Sequence, residues 1–164
     1  MCFYNFGLVS DTHDSSSNVE AALRTFKEYE VDLVIHCGDI TSPAIIPYFQ
    51  GFNAHFVYGN CDEIRGEDHL RALREEIERV GCVCHGFDGS VEWHGKKIFF
   101  THGDRGLELE NAIYSGEWDA VCYGHTHVRE YRKNENTVVM NPGKLGDGSY
   151  CVVSLDLEPE FFDV

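Results

Sequence analysis

A chain of 164 residues with 43% apolar and 25% charged side chains is long enough to bury its own core, and it sits near the globular average. That excludes disordered, collagen-like and coiled-coil classes and predicts one domain spanning residues 1–164. Its 28 acidic and 13 basic residues leave a net charge of −15, a field that disfavours nucleic-acid duplexes and anionic membranes as partners and attracts divalent cations.

Phe3 to Ser10 reads as a first strand, mostly apolar and ending at Asp11-Thr12-His13. Ser15 to Asn18 offers N-cap candidates for a helix with Val19, Ala22, Leu23 and Phe26 at helical spacing. Val31 to Cys37 is a second strand, closed by Gly38-Asp39. Ser42-Pro43 joins a cap residue to a proline at the first turn and opens a brief helix toward Gln50. Ala54 to Tyr58 is a third strand, ending at Gly59-Asn60-Cys61-Asp62. These strand–helix alternations predict a layered α/β core with parallel strands. Glu67 to Val80 is a charged amphipathic helix with Leu70, Leu73, Ile77 and Val80 on one side. Strands follow at Val83–Phe87, Ser90–Trp93 and Lys96–Thr101, then a helix at Gly106–Ser115 and a strand at Ala120–Tyr123. Val128–Lys133, Thr137–Met140 and Ser149–Asp156 complete the chain as antiparallel strands, and Glu158–Val164 is a fraying end or a last edge strand.

No apolar run reaches the roughly 20 residues of a bilayer span, and Met1 to Asp11 lacks a basic n-region, so a cytoplasmic protein is expected. Seven cysteines (Cys2, Cys37, Cys61, Cys82, Cys84, Cys122 and Cys151) form no CxxC pair, which speaks against a disulfide framework or a thiolate zinc site.

One pattern repeats: metal-competent side chains stand directly after apolar strand-like runs. Asp11 and His13 follow the first strand, Asp39 the second and Asn60 the third. His102 follows Lys96–Thr101, and His125 and His127 follow Ala120–Tyr123. Carboxyl ends of strands in layered α/β folds share one edge, where ligands bind. Seven oxygen and nitrogen donors gathered there suit Mn²⁺, Zn²⁺, Ni²⁺ or Fe²⁺ better than Ca²⁺.

Asp11-Thr12-His13, Gly38-Asp39, Gly59-Asn60, Thr101-His102-Gly103 and Gly124-His125-Thr126-His127, with the closing Asn141-Pro142-Gly143, resemble the signature of the calcineurin-like metallophosphoesterases. In size the chain is similar to that family's small single-domain phosphodiesterase branch. The resemblance implies a four-layer α/β/β/α sandwich of two mixed sheets with helices outside. It implies two divalent ions, Mn²⁺ ahead of Ni²⁺, Zn²⁺ or Fe²⁺, and hydrolysis of a small phosphodiester by a hydroxide shared between them. Asp11, His13 and His127 would hold one ion, Asn60, His102 and His125 the other, and Asp39 would bridge both. Asp39, Asn60 and His102 would act in catalysis through the ions, and small members of this branch often pair as homodimers.

Two positions depart from the family pattern. Cys61 stands where many members carry a histidine that contacts substrate, and a neutral thiol is a weak hydrogen-bond donor. Diesters with good leaving groups are therefore expected to react better than monoesters. Asp104 stands where close relatives tend to carry another histidine. A non-catalytic interaction module, like the retromer subunit that resembles this family, is the alternative, and a phosphomonoesterase or protein phosphatase is a third reading. His36 is expected to be packed behind the ligands; His55, His69, His85 and His94 are expected at surface or strand positions. Asp14 and Asp62 are expected to cap loops, Arg105 and Lys144 are candidate phosphate contacts, and Phe161-Phe162 is expected to pack on the sheet.

Overall fold

The computed structural model describes residues 3–164; Met1 and Cys2 lie outside the described residues, as does the part of the expected amino-terminal reading that rests on them. The first half of the chain alternates strands and helices: β1 (Asn5–Val9), α1 (Ser16–Glu28), β2 (Leu33–His36), a 3₁₀ segment (Pro43–Phe49), β3 (Ala54–Phe56), α2 (Asn60–Glu63), α3 (Glu67–Arg79) and β4 (Val83–Cys84). The second half runs β5 (Asp88–Trp93), β6 (Lys96–Thr101), α4 (Gly106–Tyr114), β7 (Ala120–Cys122), β8 (Glu130–Asn134), β9 (Thr137–Asn141), a short 3₁₀ turn (Leu145–Asp147), β10 (Ser149–Ser154) and β11 (Pro159–Asp163).

The strands form two mixed sheets, one in the order β11-β10-β1-β2-β3-β4 and the other β5-β6-β7-β9-β8. In the first, β1 to β4 are parallel, and β10 and β11 are added antiparallel. In the second, β6, β7 and β9 are parallel and the flanking strands antiparallel. Strand alternation sorts the side chains into layers. Phe6 and Leu8 of β1 point between the sheets, with Ile35, Val57, Ile98, Phe100, Cys122, Met140 and Val153. Val9 of the same strand faces outward, onto Val19, Leu23 and Phe26 of α1, in a core that also takes in the 3₁₀ segment and α3. A smaller outer layer sets Ala112 and Ile113 of α4 on Val121, Tyr123 and Val139. The result is the expected four-layer sandwich.

Several local expectations are refined. The segment after Ser42 is 3₁₀ rather than α: Ser42 Oγ accepts from Ala44 N–H at 3.1 Å, but Pro47 has no N–H to close a 13-atom ring. Ser15 occupies the N-cap of α1 without a side-chain cap, whereas Asn18 donates to the Leu145 and Gly146 carbonyls at 2.9 and 3.1 Å. The strands expected at Ala54–Tyr58 and Ala120–Tyr123 stop early, at Phe56 and Cys122, because the chain turns into the functional edge. The tail is an edge strand, with Phe162 stacked on Tyr150 at 5.3 Å. No helix among the described residues is long and apolar enough to cross a membrane.

Candidate metal centre

The parallel strands of both sheets end on one edge, so the loops after β1, β2, β3, β6 and β7 meet there. Six of the seven expected side chains stand on those loops, and Asn60 opens α2 directly after one of them. The ligand atoms of Asp11, His13 and His127 lie within 4.8 Å of one another, as do those of Asp11, Asp39 and His102. Asn60 joins through His125, whose Nδ1 is 3.2 Å from Asn60 Oδ1. The His102 and His125 rings meet edge to face at 5.1 Å.

Each carboxylate has one oxygen clamped and one presented. Asp11 Oδ2 accepts from Ser10 Oγ at 2.6 Å and from the His125 N–H at 3.2 Å. Its Oδ1 faces His127 Nε2 at 3.2 Å and His13 Nε2 at 3.7 Å. Asp39 Oδ1 accepts from the Cys61 N–H at 2.9 Å, while Oδ2 faces His102 Nε2 at 3.3 Å and His13 Nε2 at 3.7 Å. His102 donates from Nδ1 to the Cys37 carbonyl at 2.7 Å, which sets its tautomer and aims the Nε2 lone pair inward. That Nε2 and the Nε2 of His13 are buried and have no hydrogen-bond partner. Buried nitrogens left open toward carboxylate oxygens fit a divalent cation, which uses lone pairs rather than protons.

Without a cation, charge must be balanced by protons. Burial alone would lower the His102 pKa, but the adjacent carboxylates of Asp39 and Asp11 raise it to about 9. Asp39 is opposed by its own burial, yet the adjacent His102 imidazole pulls it below the usual carboxylate range. Burial, then the adjoining Asp39 carboxylate, push the Cys61 thiol up to about 11.

The backbone is bent to make this convergence. Asp11, His13, Asp39, His125 and His127 all have positive φ, between 42° and 67°. Such strain, costing about 1 kcal/mol or more per residue, collects at functional sites. Gly59 and Gly124 permit close approach. A Cβ at Gly59 would stand 2.1 Å from Asp39 Oδ1, and one at Gly124 would stand 1.9 Å from Ser10 Oγ.

Polar groups support the ligands, as expected for His36, Asp14 and Asp62 from their places beside the ligand loops. His36 is buried, accepting at Nδ1 from the Gly38 N–H at 3.1 Å and meeting Thr12 Oγ1 through Nε2 at 3.2 Å. Asp62 accepts from the Ile40, Thr41 and Gly59 N–H groups at 3.1, 2.8 and 2.9 Å, tying the Asp39 turn to α2. Asp14 accepts from Thr41 Oγ1 at 2.9 Å. Asn141 donates to the Gly124 carbonyl at 2.9 Å and to Thr126 Oγ1 at 3.1 Å. The only signal for these roles was their position beside the ligand loops. His55 and His85 pair with each other at 2.8 Å, a partnership with no trace in sequence spacing. Arg105 is held by Glu63 at 3.1 Å and lies over the Phe87 ring at 4.1 Å. A cavity of about 620 Å³ is lined by Phe26, Asp32, Phe52 and Asn53 at the opposite edge and contains none of the seven.

The fold and this edge together define a layered α/β protein with metal-competent side chains gathered at its strand ends, and comparison with known proteins identifies the family. The profile of the calcineurin-like phosphoesterase superfamily domain matches residues 4–158. The chain is 39% identical over 140 residues to a phosphodiesterase of Methanocaldococcus jannaschii, covering 84% of this chain and 82% of that one. It is 34% identical over 167 residues to a probable metallophosphoesterase of Methanothermobacter thermautotrophicus, covering 93% and 86%. A solved archaeal phosphodiesterase superposes with a TM-score of 0.89 at 32% identity, covering 98% of this chain and 99% of that one. The chain belongs to the calcineurin-like phosphoesterase superfamily, and relatives named as a phosphodiesterase and a probable metallophosphoesterase support a hydrolase acting on phosphoester bonds.

Proposed function

We propose that this protein is a phosphodiesterase with a two-cation centre, acting on a small phosphodiester. The observation that carries the reading is the pair of buried, unpartnered nitrogens, His13 Nε2 and His102 Nε2, aimed at the presented oxygens of Asp11 and Asp39. Asp11, His13 and His127 would hold one cation, Asn60, His102 and His125 the other, and Asp39 would stand between them. When bound, the cations supply Lewis acidity toward the phosphoryl oxygens and bring the pKa of a water to about 7. The protein's part is rigidity: the clamped carboxylate oxygens and the Cys37 carbonyl on His102 keep the donors in place, so little reorganisation is needed during reaction. Mixed oxygen and nitrogen donors accept Mn²⁺ first, with Ni²⁺, Zn²⁺ and Fe²⁺ as substitutes.

Cys61 supports a preference for diesters. It stands beside Asp39, and a thiol is a poor proton donor to a leaving group, so the substrate's leaving group must depart unassisted. A protein-interaction module would have no need to hold seven uncompensated ligand groups at one edge. The six free cysteines of the described residues support a reducing, cytoplasmic setting.

The test is metal analysis with a panel of phosphoesters. Metal-free protein should be inactive, and Mn²⁺ or Ni²⁺ should restore hydrolysis of an activated diester, with monoesters slower. Asp39→Asn and His102→Ala should each lower activity about 100-fold or more. A metal-loaded protein that turns over no phosphoester would overturn the reading.

A further inference from the structure

The donors assigned to the second cation, Asn60, His102 and His125, come from three separate segments, and Asn60 and His125 are exposed. Asn60 opens α2, a helix of 4 residues that is too short to be stable by itself. Its inner side is tied by the Asp62 carboxylate to the Ile40 and Thr41 N–H groups at 3.1 and 2.8 Å. Its outer end, Glu63, reaches instead to Arg105 at 3.1 Å. Glu63 stands three residues after Asn60, and Arg105 three residues after His102, so this ion pair joins the two ligand-bearing segments.

Arg105 has a second anchor. Its guanidinium carbon lies 4.1 Å from the centroid of the Phe87 ring. That ring meets Tyr58 edge to face at 5.4 Å, just before Gly59 and Asn60. The Phe87 carbonyl accepts from Thr101 Oγ1 at 3.3 Å, just before His102. The guanidinium therefore rests on a platform fastened to both segments. The side chains of Arg105 and Glu63 are 38% and 48% exposed, so their ion pair is screened and contributes little alone, while the ring contact adds a second attraction. The charge of Arg105 is answered by Glu63 rather than left for a phosphoryl group.

We propose that Arg105 is a positioning residue for the second cation: through Glu63 and Phe87 it sets the spacing between Asn60 and His102. The proposal rests on the two-cation reading above. A carboxamide oxygen is a neutral donor on an exposed, one-turn helix, and it serves a cation only where that helix is held against the His102 segment.

Calorimetric titration of the metal-free protein with Mn²⁺ tests this apart from catalysis. Wild type should take up two ions, and His102→Ala should lose the event that belongs to the second cation. Arg105→Ala and Glu63→Gln should each weaken that event about three- to tenfold and leave the other within about twofold. Their combination should be no worse than either alone, because both remove the same tie. Arg105→Lys, which keeps the charge and loses the flat stacking face, should fall between. With Mn²⁺ saturating, KM for an activated diester should stay within about twofold of wild type in each single variant. If Arg105→Ala instead raises KM about tenfold with both binding events unchanged, Arg105 is a phosphate contact and the proposal is overturned. Additive losses in the double variant would overturn it as well. A wild type that takes up fewer than two ions would overturn the two-cation reading itself.

Discussion

At Asp39 a single side chain illustrates how the site is assembled. One oxygen is spent on the Cys61 N–H and the other is presented to His102 and His13, on a backbone with φ of 56°. The opposing wall is Gly59, whose missing side chain makes room for that carboxylate. Gly59→Ala would put a Cβ 2.1 Å from Asp39 Oδ1 and 2.5 Å from its backbone nitrogen, neither of which is a flexible tip. We expect it to destabilise the fold by about 1–3 kcal/mol and to weaken metal binding at least about tenfold, as read by thermal melts and calorimetric titration.

The buried histidines predict a pH dependence for the metal-free protein. Burial first, then His102, holds His36 neutral down to about pH 3, against an ordinary value of 6.5. Its contribution is complete above 6.5 and drains away as pH falls, because the unfolded chain takes a proton that the folded one refuses. His55, lowered to about 4 by burial and then His85, adds to the same limb. His102 works the other way. Raised from 6.5 to about 9, it contributes fully below 6.5 and loses that contribution as pH rises through 9. Stability of the metal-free protein should therefore peak near pH 6.5, with limbs as steep as about 1.4 kcal/mol per pH unit for each titrating group. Urea midpoints at pH 5, 6.5 and 8.5 check this, and His36→Gln should flatten the acid limb.

At the scale of elements, the ligands are delivered by strand ends and held by the loops' own polar groups. Asn141 at the end of β9 is fully buried, donating to the Gly124 carbonyl at 2.9 Å and accepting from the Gly143 N–H at 2.9 Å. It fastens the loop that carries His125 and His127. Asn141→Ala would leave those backbone groups buried and unpaired, costing about 1–3 kcal/mol and about ten- to a hundredfold in metal affinity. Chemical denaturation and metal titration of the variant measure both. The same elements show what a sequence conveys. The β6 strand, Lys96–Thr101, is legible in full because its apolar run ends sharply at His102. The 3₁₀ segment and α2 are not, since Pro47 and the Asp62 bonds to the Gly59, Ile40 and Thr41 N–H groups decide them through contacts rather than periodicity.

For the whole molecule, a net charge of −15 means that folding gathers repulsion, and the centre concentrates two carboxylates at one point. Divalent ions relieve both. At a free ion concentration of one hundred times Kd, binding contributes about 2.7 kcal/mol. At about 2–4 °C per kcal/mol for a chain of this size, chelation should lower Tm by about 5–11 °C. Raising monovalent salt in chelator should recover part of that loss by screening the surface, without restoring activity. An unchanged Tm in chelator would count against a paired carboxylate site.

By itself the sequence determined the class of fold, the seven candidate ligands and the edge on which they meet. Those are carried by apolar runs and by the residues that end them, both local and periodic. Only the tertiary structure decided which carboxylate oxygen is clamped and which is presented, that His36, Asp62 and Asn141 brace the ligand loops, and that Cys61 stands within 4.8 Å of His13 and Asp39. These depend on atoms brought together from distant parts of the chain at positive φ and across missing side chains, relations that no spacing along the chain encodes.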